Sequence, residues 1–183
     1  MAKSPKTTLQ AVADAGYVAI EAAGYEEGKF YDYSPLEFKA LLSSLNLTPL
    51  SSHNSDVSLD NADAMMADVK AAGFEYFVVP IPPMGLFKSG AKGMRMEGGA
   101  ENLANILNVL GKKAKAMGLK LLYHNHDFEF TADANGEVVI DYLLEHCDPE
   151  FVNFQMDLYW VTKAGSDPLV YFEKYPGRFK LWH

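Results

Sequence analysis

Residues Lys120 to Phe130 read KLLYHNHDFEF. An apolar run typical of a strand changes abruptly to two histidines, an asparagine and two carboxylates. His124 and His126 are two residues apart, so they share one face of an extended chain. Glu129 has the opposite parity and can join them only if the strand ends near His126 and the chain then turns. Imidazole and carboxylate are ligands for Zn²⁺, Mn²⁺ or Co²⁺, but a hydrogen-bonded polar strand end explains this stretch alone equally well.

The same change from apolar to polar residues recurs at the ends of other predicted strands. In FVNFQMD (151–157), Asn153, Gln155 and Asp157 share one face, which predicts a lined cavity with Asp157 at its mouth. Earlier and later strands also end in charged or imidazole side chains. The residues that end predicted strands are Glu21, His53, His124, His126, Asp157 and His183.

Helix and strand patterns alternate along the chain. A first helix is predicted from Ser4-Pro5, and it is followed by five strand and helix pairs and a last strand. Ser34 and Glu37 form the pattern of a capping box at one helix start. Because the connections are too long for hairpins, we predict an α/β fold with six parallel strands wrapped by helices. Ligands bind at the carboxyl ends of the strands in such folds, so the polar strand ends predict one shared active site.

Two stretches are predicted to be irregular. Pro82 to Gly99 is the longest, and its basic residues Lys88, Lys92 and Arg95 fit either a lid that meets an anionic substrate or a solvated loop. LYWVTKAGSD (158–167) is interpreted as a loop after Asp157.

Composition restricts the function. The 183 residues are 49% hydrophobic, which is enough for one core and one domain, and the formal net charge of −8 argues against nucleic-acid and membrane partners. Cys147 is the single cysteine and lies within a helical pattern, which makes it a poor nucleophile. A chain with one cysteine and no long apolar run is expected to be cytoplasmic.

Several blocks of the chain resemble the xylose isomerase-like (β/α)8 TIM barrels that include sugar phosphate isomerases and epimerases. These blocks are AGYVAIEAAGY (15–25), YHNHDFEF (123–130), FQMDLYWVTKAG (154–165) and KLWH (180–183). The resemblance implies one divalent metal ion held by Glu129, Asp157 and His183, with no counterpart for the family's fourth ligand. It also implies that residues 1–183 form a single, incomplete TIM-barrel domain that corresponds to strands two to seven of eight. We therefore expect the chain to be a piece of a longer protein.

The resemblance also implies a chemistry. A ketose, sugar phosphate or related keto-sugar would be isomerised or epimerised by proton transfer through an enediolate, with Mn, Co, Mg or Zn as Lewis acid. Glu129 and His126 would be catalytic, and either His124 or His126 is an alternative metal ligand. The residues expected to contact the sugar are His124, His53, Glu21 and Trp160.

Other functions are also compatible with the sequence. Relatives on the same scaffold dehydrate inososes or cleave 3-keto-glycosides, and a non-catalytic fragment is a further alternative. A metal-dependent nuclease is disfavoured by the negative charge and the few histidines. The expected partner is a small-molecule sugar, and a homo-oligomer is compatible with the sequence.

Overall fold

The computed structural model describes residues 4–83, 87–90, 93–96, 99–132 and 136–183, with the backbone alone for 87–90 and 93–96. The helices are α1 (Pro5–Asp14), α2 (Pro35–Ser44), α3 (Ala62–Ala71), α4 (Gly99–Ala116), α5 (Val139–His146), α6 (Leu158–Lys163) and α7 (Pro168–Lys174), with a 3₁₀ turn at Phe128–Phe130. The strands are β1 (Ala19–Ala22), β2 (Tyr25–Glu26), β3 (Lys29–Phe30), β4 (Thr48–His53), β5 (Tyr76–Val79), β6 (Phe87–Gly90), β7 (Gly93–Met96), β8 (Lys120–His124), β9 (Val152–Met156) and β10 (Phe179–Trp182).

Six of the strands form one parallel sheet in the order β1-β4-β5-β8-β9-β10. Each strand of this sheet therefore pairs with the next strand of the sheet along the chain, as is usual for consecutive strand and helix units. The sheet curls into a half-barrel with helices around it, which confirms the predicted incomplete TIM barrel. All six carboxyl ends lie at one edge, and the register pairs His124 of β8 with Gln155 of β9.

The core lies between the sheet and the outer helices. Long apolar side chains of the helices, such as Phe38 of α2 and Leu107 of α4, are fully buried against strand residues such as Phe77. A Cβ atom at Gly111 of α4 would stand 2.6 Å from the carbonyl oxygen of Phe151. The missing side chain at this position lets the helix approach the segment that leads into β9.

The predicted helix starts are present. Ser34 caps α2 and forms the full capping box with Glu37, and the Ser4 hydroxyl accepts a hydrogen bond from the Thr7 N–H at the start of α1. The structure differs from the sequence prediction after β9, where residues 158–163 form α6 and not a loop. The reason is that the Asp157 carboxylate accepts the Trp160 N–H and thereby caps this short helix.

Two short antiparallel hairpins lie outside the parallel sheet. β2 pairs with β3 in the segment after β1, and β6 pairs with β7 within the long segment 82–99. The side chains of Lys88, Lys92 and Arg95 lie outside the described residues.

β1 and β10 are the outer strands of the sheet and are not paired with each other in the described part of the chain. Apolar side chains near these two edges are exposed, with 74% of Val18 and 64% of Trp182 accessible to solvent. No helix within the described ranges is long and apolar enough to cross a membrane.

Candidate functional site

Three potential metal ligands converge at the carboxyl edge of the sheet. His124 ends β8, Asp157 follows β9 and His183 follows β10, and one ligand atom from each lies within 4.8 Å of the others. Asp157 Oδ2 is 3.0 Å from His183 Nδ1 and 3.8 Å from His124 Nε2. His124 and Asp157 are buried, whereas about half of the His183 side chain is exposed.

Backbone contacts fix Asp157 and His183. The Asn125 side chain accepts a hydrogen bond from the Asp157 N–H at 3.1 Å and donates one to the Asp157 carbonyl at 3.3 Å. The His183 N–H donates to the Met156 carbonyl at 2.8 Å, and the Leu158 N–H donates to the His183 carbonyl at 3.0 Å. The ends of β8, β9 and β10 are thus tied together around the three side chains.

A second polar group lies beside these residues. Glu21 at the end of β1 accepts hydrogen bonds from the Ser51 hydroxyl at 2.5 Å and from the Gln155 amide at 2.6 Å. Its other oxygen is 3.1 Å from His53 Nε2 and 3.7 Å from His183 Nε2. Glu21, on the first strand of the sheet, therefore contacts residues on β4 and β9 and also the candidate metal ligand His183.

Burial and hydrogen bonds shift the pKa values of Glu21, His53 and His124 in different directions. Burial by itself would raise the pKa of Glu21, but hydrogen bonds from His53, Ser51 and Gln155 lower it to about 2. Burial would lower the pKa of His53, yet the Glu21 carboxylate reverses this effect and raises it. Burial and the neighbouring His53 lower the pKa of His124 to about 4, so the His124 imidazole is neutral at pH 7.

Glu129 lies in the 3₁₀ turn and is completely buried. One carboxyl oxygen accepts the Tyr123 hydroxyl at 2.6 Å and the other accepts the His126 N–H at 2.8 Å. Burial raises the pKa of Glu129 to about 7. The strand ends at His124 and the chain then turns, which was the condition for Glu129 to join the histidines. Within the described ranges, however, Glu129 is not part of the cluster with Asp157 and His183. The assignment of Glu129 as a metal ligand stays a prediction.

His126 and Trp160 form an aromatic wall beside the cluster. The His126 ring lies parallel to Phe128 at 6.0 Å, and its centroid is 5.5 Å from Trp160 and 5.1 Å from His124. Its Nδ1 atom is buried and has no hydrogen-bond partner among the described residues. Burial lowers the pKa of His126. A buried ring nitrogen without a partner is the group that a ligand hydroxyl would satisfy.

The structure brings most of the predicted site residues together. His53, His124 and His183 form one cluster of rings with centroids 5.0 to 5.8 Å apart, and Glu21 contacts two of them. Asn153 does not join them, because its amide donates to the Pro149 carbonyl near the other end of β9. Ser51, Asn125 and Tyr123 donate or accept hydrogen bonds with Glu21, Asp157 and Glu129 respectively, and the sequence alone predicted no role for them. For Asn125, its position between His124 and His126 was the sequence feature that could have indicated a role in the site.

A cavity of about 520 Å³ opens next to His53. Tyr25, Tyr31 and Asp32 are among the residues that line it. Tyr31 is held in place because its hydroxyl accepts the Ala23 N–H at 3.0 Å. The volume is that of a small-molecule site.

The donor set fits a divalent ion. Two imidazoles and one carboxylate match the preferences of Zn²⁺, Mn²⁺ and Co²⁺, and three protein ligands leave positions for a substrate. His124, Asp157 and His183 would hold such an ion.

No protein-family model matches the chain. An inosose dehydratase from Clostridium tetani is 36% identical over 83 residues, which are 45% of this chain and 27% of the relative. A sugar phosphate isomerase/epimerase from Parabacteroides distasonis superposes with a TM-score of 0.79 at 27% identity, over 98% of this chain and 68% of that chain. A xylose isomerase-like TIM barrel/4-hydroxyphenylpyruvate dioxygenase fusion protein superposes with a TM-score of 0.71 at 16% identity, over 100% of this chain and 29% of that chain. The chain thus has the fold of an incomplete TIM barrel, and a sugar phosphate isomerase/epimerase and a xylose isomerase-like TIM barrel are among the solved structures that it resembles.

Proposed function

We propose that the protein is a divalent-metal-dependent enzyme that removes a proton next to the carbonyl of a keto-sugar and returns it, as an isomerase or epimerase does. The observation that carries this proposal is the convergence of His124, Asp157 and His183 within 4.8 Å at the carboxyl edge of the sheet. A bound divalent ion would supply a Lewis acid that makes the proton next to a carbonyl easier to remove. The substrate is a small sugar, with no nucleic acid or membrane partner.

The side chains around the cluster of His124, Asp157 and His183 would have different roles in the reaction. His126 offers a buried, unpartnered Nδ1 beside His124, where it would bind a sugar hydroxyl or take up the proton. Trp160 forms an apolar wall next to His126. Glu129, next to the His126 backbone, is a second candidate for holding the proton. His53, which lines the cavity, and Glu21, which contacts His53, would bind hydroxyl groups of the sugar.

A dehydratase is the second candidate function. The similarity to inosose dehydratases favours it, because two such enzymes from different genera are 34 to 36% identical over about 45% of this chain. Elimination of water begins with the same proton removal next to a carbonyl, so the same side chains serve both reactions. The two outcomes differ in the fate of the neighbouring hydroxyl group.

The metal site is tested first by calorimetric titration of the metal-free 183-residue chain with Mn²⁺. We expect about one ion per chain, and loss of binding in Asp157→Asn, where the amide still caps α6 but carries no charge. Asp167→Asn is the matched control, since Asp167 caps α7 in the same way away from the cluster. A folded chain that does not bind Mn²⁺, or an Asp157→Asn variant that binds like the parent, would contradict the proposal.

The reaction is tested in D₂O with ketoses and inososes. Isomerisation or epimerisation places deuterium on the carbon next to the carbonyl and leaves the mass otherwise unchanged. Dehydration yields a product lighter by one water. Mass spectrometry therefore separates the two functions in one experiment. A metal-loaded chain that exchanges no proton in any member of either series would refute the proposed chemistry.

A further inference from the structure

Gln155 lies on β9 and is 2% exposed. Its amide makes three hydrogen-bond contacts within the site. Nε2 is 2.6 Å from Glu21 Oε2, and Oε1 is 2.8 Å from His53 Nε2 and 3.0 Å from His124 Nδ1. One buried amide therefore joins strands β1, β4, β8 and β9.

The chemistry of these groups determines which atoms carry hydrogen. An ionised Glu21 carboxylate only accepts hydrogen bonds, so the Gln155 atom that faces it must be the NH₂ group. The opposite orientation of the amide would place two acceptors 2.6 Å apart. The Gln155 carbonyl oxygen therefore faces both imidazoles. Each ring nitrogen in contact with that oxygen must carry a proton, since a carbonyl oxygen donates nothing.

The His53 contacts agree with this assignment. His53 Nε2 lies near two acceptors, the Gln155 carbonyl oxygen and Glu21 Oε1 at 3.1 Å. A nitrogen between two acceptors is stable there only as N–H. His53 and His124 thus both donate to Gln155, through Nε2 and Nδ1 respectively.

We propose that Gln155 is a positioning residue that holds His124 in the Nδ1–H tautomer, so that its Nε2 lone pair faces Asp157 and His183. His124 Nε2 is 3.8 Å from Asp157 Oδ2, which is too long for a hydrogen bond. His124 Nε2 and Asp157 Oδ2 are thus two acceptors without a hydrogen bond between them, and both would be available to hold a divalent ion. The assignment of the His124 tautomer does not depend on the proposed function. The expected effect of Gln155 on metal binding, by contrast, rests on the proposed function.

The tautomer is measured directly by two-bond ¹H–¹⁵N correlation spectra of the metal-free, ¹⁵N-labelled chain near neutral pH. We expect His124 Nε2 to have the chemical shift of an unprotonated nitrogen and Nδ1 that of a protonated one. In Gln155→Met, which replaces the amide by an apolar side chain of similar size, we expect His124 to move toward the Nε2–H tautomer that free histidine favours.

Metal affinity provides the second readout. Loss of a group that orients a metal ligand typically weakens binding about 10- to 100-fold, and we expect a change of this size in the Mn²⁺ dissociation constant of Gln155→Met. Asn153→Leu is the matched control, because it also removes an amide from β9 but one that bonds the Pro149 carbonyl. This variant is expected to keep both the tautomer and the affinity of the parent.

A protonated Nε2 on His124 in the parent chain would overturn the inference even if Gln155→Met did not fold. An unchanged tautomer in a folded Gln155→Met variant would overturn it as well. If the parent has the expected tautomer, Gln155→Met shifts it and neither protein binds Mn²⁺, the positioning role holds and the proposed function fails.

Discussion

Glu21 and Gln155 are 134 residues apart in the chain and are joined by a hydrogen bond of 2.6 Å. Glu21 is on the first strand of the sheet order and Gln155 is on the fifth. A flat sheet would hold these strands about 19 Å apart, because neighbouring strands are spaced by about 4.8 Å. The contact is therefore a direct consequence of the curl of the sheet. The curl brings polar residues from distant parts of the sequence into one buried group.

The Glu21 contacts predict a specific dependence of stability on pH. The pKa of Glu21 is about 2 in the folded chain, below the ordinary value of 4.5. A lowered pKa means that the ionised group stabilises the fold above pH 4.5, and that this contribution is lost as the pH falls toward 2. The lost contribution is at most about 3 kcal/mol. We expect the free energy of unfolding of Glu21→Gln to fall less steeply than that of the parent between pH 4.5 and 2.

Urea unfolding at a series of pH values measures this difference. Glu173→Gln is the control, since Glu173 is exposed and the same change there should leave the pH profile of the parent intact. Parallel profiles for Glu21→Gln and the parent would show that the Glu21 network does not stabilise the fold.

Gly111 is expected to be intolerant of a side chain. Alanine normally stabilises a helix interior relative to glycine by about 1 kcal/mol. Here the added methyl group would stand 2.6 Å from the Phe151 carbonyl oxygen and 2.9 Å from Phe151 Cβ. We expect Gly111→Ala to lower the free energy of unfolding by about 1 to 3 kcal/mol. Thermal unfolding compares it with Asn105→Ala on the exposed face of α4, which should change stability by less than about 0.5 kcal/mol. A stabilised Gly111→Ala would show that α4 and Phe151 are not this close.

Tyr123 supplies the only side-chain hydroxyl that Glu129 contacts among the described residues. Both groups are fully buried, so Tyr123→Phe leaves a buried carboxyl group with one donor fewer. We expect a loss of about 1 to 3 kcal/mol in the free energy of unfolding. Tyr159→Phe is the matched control because 65% of Tyr159 is exposed, and water replaces its contacts. Equal stability of the two variants in chemical denaturation would argue against the Tyr123 to Glu129 bond.

Cys147 is expected to react slowly with thiol reagents in the folded chain. The side chain is 2% exposed, and burial raises the pKa of the thiol to about 12. The reactive thiolate is therefore scarce at neutral and mildly alkaline pH. Labelling with iodoacetamide should be slow in buffer and fast in urea. A Ser43→Cys variant, with the new thiol on the exposed side of α2, should gain one fast-reacting group. Fast labelling of Cys147 without denaturant would contradict its burial.

Helix starts, strand direction and the position of the polar strand ends could be predicted from local patterns of residues in the sequence. Ser34 and Glu37 have the spacing of a capping box, and their side chains form one. The alternation of helices and strands predicted parallel strands, since no short connection could return the chain antiparallel. The same alternation placed the polar strand ends, from Glu21 to His183, at one edge of the sheet. These features depend on residues that are neighbours in the chain, so a single sequence contains them.

Other features were decided only by the tertiary structure. Leu158 to Lys163 form a helix because the Asp157 carboxylate caps its first turn. From the sequence, this carboxylate was predicted only to be a metal ligand. His124 joins Asp157 and His183, whereas Glu129 turns toward Tyr123. Which side chain turns inward after a strand end depends on the packing of the turn against the neighbouring strands. The contact between Glu21 and Gln155 likewise depends on the curvature of six paired strands, a property of the whole sheet that no local pattern of residues encodes.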